Sequence, residues 1–314
     1  MLGVRMIYRL YPVAVSASFE PIDDFGEPAQ QCVLPLVAKI HDLIQPVGTG
    51  FVLNPNGLFA TAAHVLEAAA KLAVRRQRDD GSWYNHYELY AIYISNEPIP
   101  DTEYTVGGLL PVERIWAPTG LDIGFGWLDL PRRVSDNSPP LLRPVCIRPA
   151  LPAVGTKIVA LGYYNMRGTI RDGDPAVIEY AQHTARSKGV IQEVYPEFRD
   201  RGMLSFPCFL TDARFDSGMS GSPIFDESGG VIGVVCSSTK HSESPFHMSY
   251  GSLVWPIFGC RIDVAPETHS SPVPTLLYDL ALQGRIVVDN TINRVKIERY
   301  ETGECKVSVF IPNK

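Results

Sequence analysis

The sequence of 314 residues predicts an all-β protein built as two strand-rich halves, and three observations carry that reading. The 26 Gly and 26 Pro are spread along the chain, which suits many short strands joined by turns better than a few long helices. Short apolar stretches with strand alternation recur between turn signals, as at Ile123, Phe125 and Trp127, which alternate with Gly124, Gly126 and Leu128. Residues 131–144 lack any periodicity and contain Pro139 and Pro140, which cannot join a central strand, so this stretch reads as the linker between the halves.

Taken in order, residues 1–31 hold an acidic, Pro-bearing stretch (Glu20 to Pro28) and read as an N-terminal extension. The first half, 32–138, opens with a hairpin over Gly50–Thr61, whose Pro55-Asn56-Gly57 tip supplies the fixed φ and the φ > 0 residues of a tight turn. A short helical run from His64 to about Leu72 follows, then a polar, Tyr-rich segment at 73–103, an elaborated hairpin or a surface insertion. Strand signals return at Tyr104–Leu110 and Asp122–Leu130. The second half, 139–262, carries strand signals at Thr156–Gly162, Gly189–Val194, Phe209–Thr211, Ser222–Phe225 and Val231–Val235. The tail, 263–314, reads as a helix over Pro274–Leu282 and strands at Gly284–Val288 and Arg294–Tyr300. A turn at Thr302–Gly303 then leads back into Cys305–Ile311.

Charge and composition remove several function classes. The formal net charge is −6, and no Lys/Arg run could track a phosphate backbone, which argues against a nucleic-acid partner. The nearest candidate, Arg75 to Arg78, runs straight into Asp79 and Asp80 and reads as a solvated loop. The six cysteines are scattered, with no CxxC pair and no Cys/His spacing of a zinc site, so neither a metal nor another cofactor is expected. No apolar run reaches the roughly 18 residues of a membrane span. Arg9 and Pro12 interrupt what would be the apolar core of a signal peptide, which favours a cytoplasmic, reducing location over export.

Three local patterns carry chemistry. In Asp216-Ser-Gly-Met-Ser-Gly-Ser-Pro223, Gly218 lets the chain turn so that its own N–H and that of Ser220 can point into one small cavity. Gly221 keeps space free behind the Ser220 hydroxyl, a weak nucleophile that needs both a base and a place for the oxyanion. Thr61-Ala-Ala-His64 puts an imidazole at a strand-to-helix corner among small neighbours, where a partner can reach it. Asp122 opens an apolar strand, a costly place for a carboxylate unless a donor such as His Nδ1–H meets it; Asp129, at the polar end of the same strand, is the fallback. The order His, Asp, Ser is one of the known orders of this triad.

With those residues in hand, the chain resembles the chymotrypsin/trypsin-like serine peptidase superfamily, and within it the bacterial HtrA (Deg) branch. The resemblance runs through Thr49-Gly-Phe-Val-Leu53, Thr61-Ala-Ala-His64, the Asp122 segment and Leu210 to Phe225. It implies two perpendicular six-stranded antiparallel β-barrels with the cleft between them, here followed by a short α+β C-terminal extension. It further implies a serine endopeptidase acting on protein or peptide substrates through an acyl-enzyme, with His64, Asp122 and Ser220 as the triad. The oxyanion amides would be those of Gly218 and Ser220, with Met219 N–H nearby. Val235, Cys236 and Ser237 fall on the strand that pairs with the substrate backbone. Arg214 falls where the superfamily places the floor of the primary specificity pocket. Pointing inward it would attract an acidic side chain; otherwise it faces solvent or pairs with Asp212 or Asp216.

The departures also matter. Met219 stands where the secreted branch has an Asp that pairs with a new N-terminus, and Val65 stands where the disulfide-bonded branch has a cysteine, so no zymogen switch is expected. The tail does not resemble the PDZ domain of HtrA proteins, and is open to roles as a regulatory cap, a partner-docking hairpin or a cover for a barrel edge. The competing reading is a catalytically silent scaffold of the same fold that binds proteins.

Overall fold

The computed structural model describes residues 4–6, 19–22, 29–40, 43–77, 81–86, 88–98, 105–130, 140–170, 178–239, 248–264, 272–300 and 304–310. Linker residues 131–139, residues 78–80, the Thr302–Gly303 turn and the stretch around Arg9 and Pro12 lie outside the described residues. Arg75, Arg76 and Gln77, read from the sequence as part of a solvated loop, instead form a strand paired with Asn85, Tyr84 and Trp83.

Two N-terminal strands come first, β1 (Val4–Met6) and β2 (Phe19–Ile22), followed by a single turn of helix, α1 (Ala29–Cys32). The first half then runs β3 (Val33–Ile40), β4 (Leu43–Val52), β5 (Leu58–Thr61), α2 (Ala63–Lys71), β6 (Val74–Gln77), β7 (Trp83–His86), β8 (Glu88–Pro98), β9 (Thr105–Trp116) and β10 (Gly124–Leu128). The second half contains β11 (Lys157–Ile170), β12 (Ile178–Tyr195), β13 (Cys208–Thr211), β14 (Pro223–Asp226), β15 (Val231–Thr239) and β16 (Met248–Leu253). The tail adds β17 (Arg261–Val264), β18 (Val273–Leu276), α3 (Leu277–Leu282), β19 (Val295–Arg299) and β20 (Cys305–Val309).

Each half closes on itself. In the first, the order β9-β10-β5-β4-β3-β8 returns to β9 through the β8–β9 pairing; in the second, β11-β14-β15-β16-β13-β12 returns to β11 through β11–β12. These are two closed six-stranded antiparallel barrels. β1 adds to β9 and β2 to β12, so the N-terminal extension supplies an outer strand to each barrel.

The β4–β5 hairpin turns where the sequence places it: Gly57 has φ +99°, and the Asn54 side chain accepts from the Asn56 and Leu58 amides at 3.0 and 3.1 Å. The 73–103 segment splits in two. Its first part forms the separate β6–β7 hairpin, while β8 is a barrel strand paired with both β3 and β9. Gly284–Val288 forms no strand; Val288 only bridges Ile147, which also bridges Val231. The tail is embedded in the core: Leu277, Leu280 and Ile286 share one buried cluster with Phe258 of the second half and with Phe51, Phe125 and Val234. All six cysteines are free thiols. No helix among the described residues is long and apolar enough to cross a membrane.

Candidate active site

His64 is the second residue of α2, and the first turn of any helix leaves backbone N–H groups without partners. The residue before the helix, Ala62, has no side chain that could cap it. Asp122 does this from outside: its Oδ1 accepts the His64 backbone N–H at 3.1 Å. The same carboxylate meets His64 Nδ1 at 2.9 Å through Oδ1 and 3.0 Å through Oδ2. A carboxylate can only accept, so Nδ1 carries the proton, and in the neutral imidazole Nε2 holds the lone pair. Asp122 is 9% exposed and lies two residues ahead of β10 rather than in it, while the His64 side chain is 43% exposed. Asp129, the fallback, is exposed beyond the far end of β10.

The Ser220 loop is held on every side. Gly221 N–H donates to Val235 O and Val235 N–H to Ser222 O, both at 2.9 Å, which pins the loop to β15. From β4, Thr49 N–H donates to Ser220 O at 2.8 Å, and the Thr49 hydroxyl donates to Gly218 O at 2.8 Å. Gly221 has φ +87°, and a Cβ there would lie 2.1 Å from both Thr49 O and Thr61 Oγ1, so only glycine lets the loop of the second barrel sit this close to the hairpin that leads into His64.

The amides of this loop separate into two groups. Met219 N–H donates to Asp216 O at 3.0 Å and Ser222 N–H to Met219 O at 2.9 Å. Those of Gly218 and Ser220 have no acceptor among the described residues. The sequence placed three amides, of Gly218, Met219 and Ser220, around the oxyanion; Met219 leaves that set because the tight turn uses its N–H internally. Its side chain is fully buried with Phe215 and Ile224 in the core of the second barrel.

Ser220 opens onto a cavity of about 880 Å³ lined by Tyr164, Asn165, Arg214, Phe215 and Cys236 among others. His64 and Asp122 face a second cavity of about 330 Å³ that also reaches Met203 and Phe206. Cys236 borders both cavities and so forms their shared wall. Val235 and Cys236 are buried on β15, and the ladder with β16 skips Cys236 and resumes at Ser237 opposite Tyr250. Arg214 lines the larger cavity, but its charge is already met: Nε and a terminal nitrogen contact the two Asp216 carboxylate oxygens at 2.7 and 2.6 Å. That bond raises the guanidinium pKa above its ordinary value, and the group stacks 4.7 Å over Phe19 of β2. Burial, followed by the Asp216 charge, raises the Tyr164 phenol, which keeps its proton.

Residues 48–234 match the trypsin-like peptidase domain model, a span that takes in His64, Asp122 and Ser220. The chain belongs to the trypsin-like peptidase family. Among solved structures this trypsin-like peptidase is similar to Deg5, with 17% identity over 66% of this chain and 80% of that one and a TM-score of 0.44. It is also similar to the MamO protease domain from Magnetospirillum magneticum in its apo form (12% identity, 71% and 93% coverage, TM-score 0.44). An inactive form of Rv3671c from M. tuberculosis H37Rv is similar too (17% identity, 71% and 82% coverage, TM-score 0.40). No curated protein matches the chain significantly.

Two residues beside the Ser220 loop escape a reading by motif. Thr49 stands in a stretch that carries the family resemblance, but its ties to the Ser220 loop join residues far apart in sequence. Asn165 lies three residues beyond the strand signal at Thr156–Gly162, in a part of β11 that the sequence pattern does not mark as strand.

Proposed function

We propose that the chain is a serine endopeptidase in which Ser220 is the nucleophile, His64 the general base and Asp122 the residue that orients the imidazole. The observation that carries this reading is the two-point bond from His64 Nδ1 to Asp122, which in the neutral imidazole leaves Nε2 free to take a proton. Ser220 Oγ attacks the carbonyl carbon of the scissile bond as its proton passes to His64 Nε2. The oxyanion is met by the Gly218 and Ser220 amides, neither of which has an acceptor among the described residues. The imidazolium then gives its proton to the leaving amine, and the acyl-enzyme on Ser220 is hydrolysed by water with His64 again as base.

Since Asp216 neutralises Arg214, an acidic side chain would have to displace a short bidentate pair to reach the guanidinium. Phe215, Val235 and Cys236 supply apolar wall. The favoured residue before the scissile bond is therefore uncharged and of small or medium size. Exposure of the protein to a diverse peptide mixture, with products read by mass spectrometry, tests both points. Endoproteolytic cuts after uncharged residues, lost in Ser220→Ala, are expected; an absence of cuts by the folded wild type would reject the reading.

A further inference from the structure

Among the described residues, Asn165 is the single non-glycine residue with positive φ, at +47°. It sits in a break in the β11–β12 ladder: Tyr164 pairs with His183, and pairing resumes only at Arg167 opposite Ala181. A bulge of this kind releases a backbone amide from the ladder and re-aims it. Here the released Asn165 N–H donates to Ser217 O at 3.2 Å.

A trans peptide is planar, so with the Ser217 carbonyl held toward Asn165, the N–H of Gly218 in the same peptide points the opposite way. Gly218 rests directly on the bulge, where an added Cβ would lie 3.0 Å from Tyr163 O and 3.2 Å from Tyr164 Cα. Asn165 and Gly218 both line the cavity onto which Ser220 opens. Reversal of this peptide would remove one oxyanion donor and turn a carbonyl oxygen toward the developing negative charge. Asn suits this place because it tolerates the left-handed region, which a β-branched residue does not.

We infer that Asn165 is a positioning residue: its left-handed bulge fixes the Ser217–Gly218 peptide so that the Gly218 amide faces the oxyanion. The geometry stands alone, while its catalytic consequence rests on the serine-peptidase reading. The test compares Asn165→Val with Asn165→Gly, which takes positive φ freely. In crystal structures the valine variant should show the Ser217–Gly218 peptide reversed and the glycine variant should not.

The rate of fluorophosphonate labelling at Ser220, and kcat for p-nitrophenyl acetate, should fall on the order of 10²-fold in the valine variant with KM little changed. The glycine variant should stay near wild type. A residue that merely filled space would fare worse as glycine than as valine. Asn165→Ala carries the same comparison if the valine variant does not fold. An unmoved peptide in the valine or alanine variant, or a glycine variant as impaired as they are, overturns the inference. Wild-type protein that does not label, alongside a reversed peptide in the valine variant, supports the positioning role and rejects the peptidase reading instead.

Discussion

Thr49 donates its backbone N–H to the Ser220 carbonyl at 2.8 Å and its hydroxyl to the Gly218 carbonyl at the same distance. The hydroxyl also accepts the Tyr163 N–H at 3.2 Å, and the Thr49 carbonyl accepts the Thr61 hydroxyl at 2.6 Å. One fully buried residue of the first barrel thus anchors the Ser220 loop of the second. Thr49→Val keeps the shape but removes the hydroxyl donor to the Gly218 carbonyl. A loss of about 2 kcal/mol in urea unfolding is expected, with most of it restored by Thr49→Ser. Wild-type stability in the valine variant would contradict the anchoring role.

Asp122 has two tasks that one substitution separates. In Asp122→Asn the amide oxygen can still accept the His64 backbone N–H, so the start of α2 and the melting temperature should change little. The same side chain no longer holds Nδ1 as the protonated nitrogen, and kcat for p-nitrophenyl acetate should fall by roughly 10³–10⁴-fold. Turnover at the wild-type level would remove Asp122 from the mechanism.

These two residues also show what is legible in the sequence. Ser220 and His64 stand out because turn chemistry and a strand-to-helix corner are local, written in neighbouring residues. Asp122 is legible through order and through the cost of a carboxylate beside an apolar strand. The commitment of Met219 N–H to Asp216 O depends on the backbone path of a tight turn, which residue types alone do not specify. β8 was hidden in a polar, Tyr-rich stretch because its strand character is set by pairing with β3, some fifty residues earlier, and with β9. Phe19 reads as part of an acidic extension, and only the pairing of β2 with β12 reveals it beneath Arg214 and against Tyr164.

Arg214 and Asp216 make a prediction about specificity. Arg214→Ala leaves the Asp216 carboxylate unpaired at the wall of the larger cavity. Cleavage of a peptide mixture should then shift from uncharged residues toward Lys and Arg before the scissile bond. A wild-type preference for acidic residues that disappears in this variant would show instead that Arg214 recognises substrate directly.

His183 links stability to pH. Burial, with a smaller contribution from the Arg167 charge, lowers its pKa below the ordinary value of about 6.5. Between the folded and unfolded values the unfolded chain binds more protons, so stability rises with pH in that window. The contribution is full above about 6.5 and is lost as pH falls through the lowered folded value. His183→Gln should flatten the change in urea midpoint between about pH 7 and about pH 5. An equally steep change in the variant would assign the effect to other groups.

The central claim is that Ser220 is an activated nucleophile served by His64. Incubation of the native protein with a fluorophosphonate probe, followed by mapping of the modified peptide, tests it most directly. Stoichiometric modification of Ser220 is predicted, absent in Ser220→Ala and in heat-unfolded protein and strongly slowed in His64→Ala. A folded wild-type protein that stays unmodified, or one modified equally fast without His64, would contradict the account.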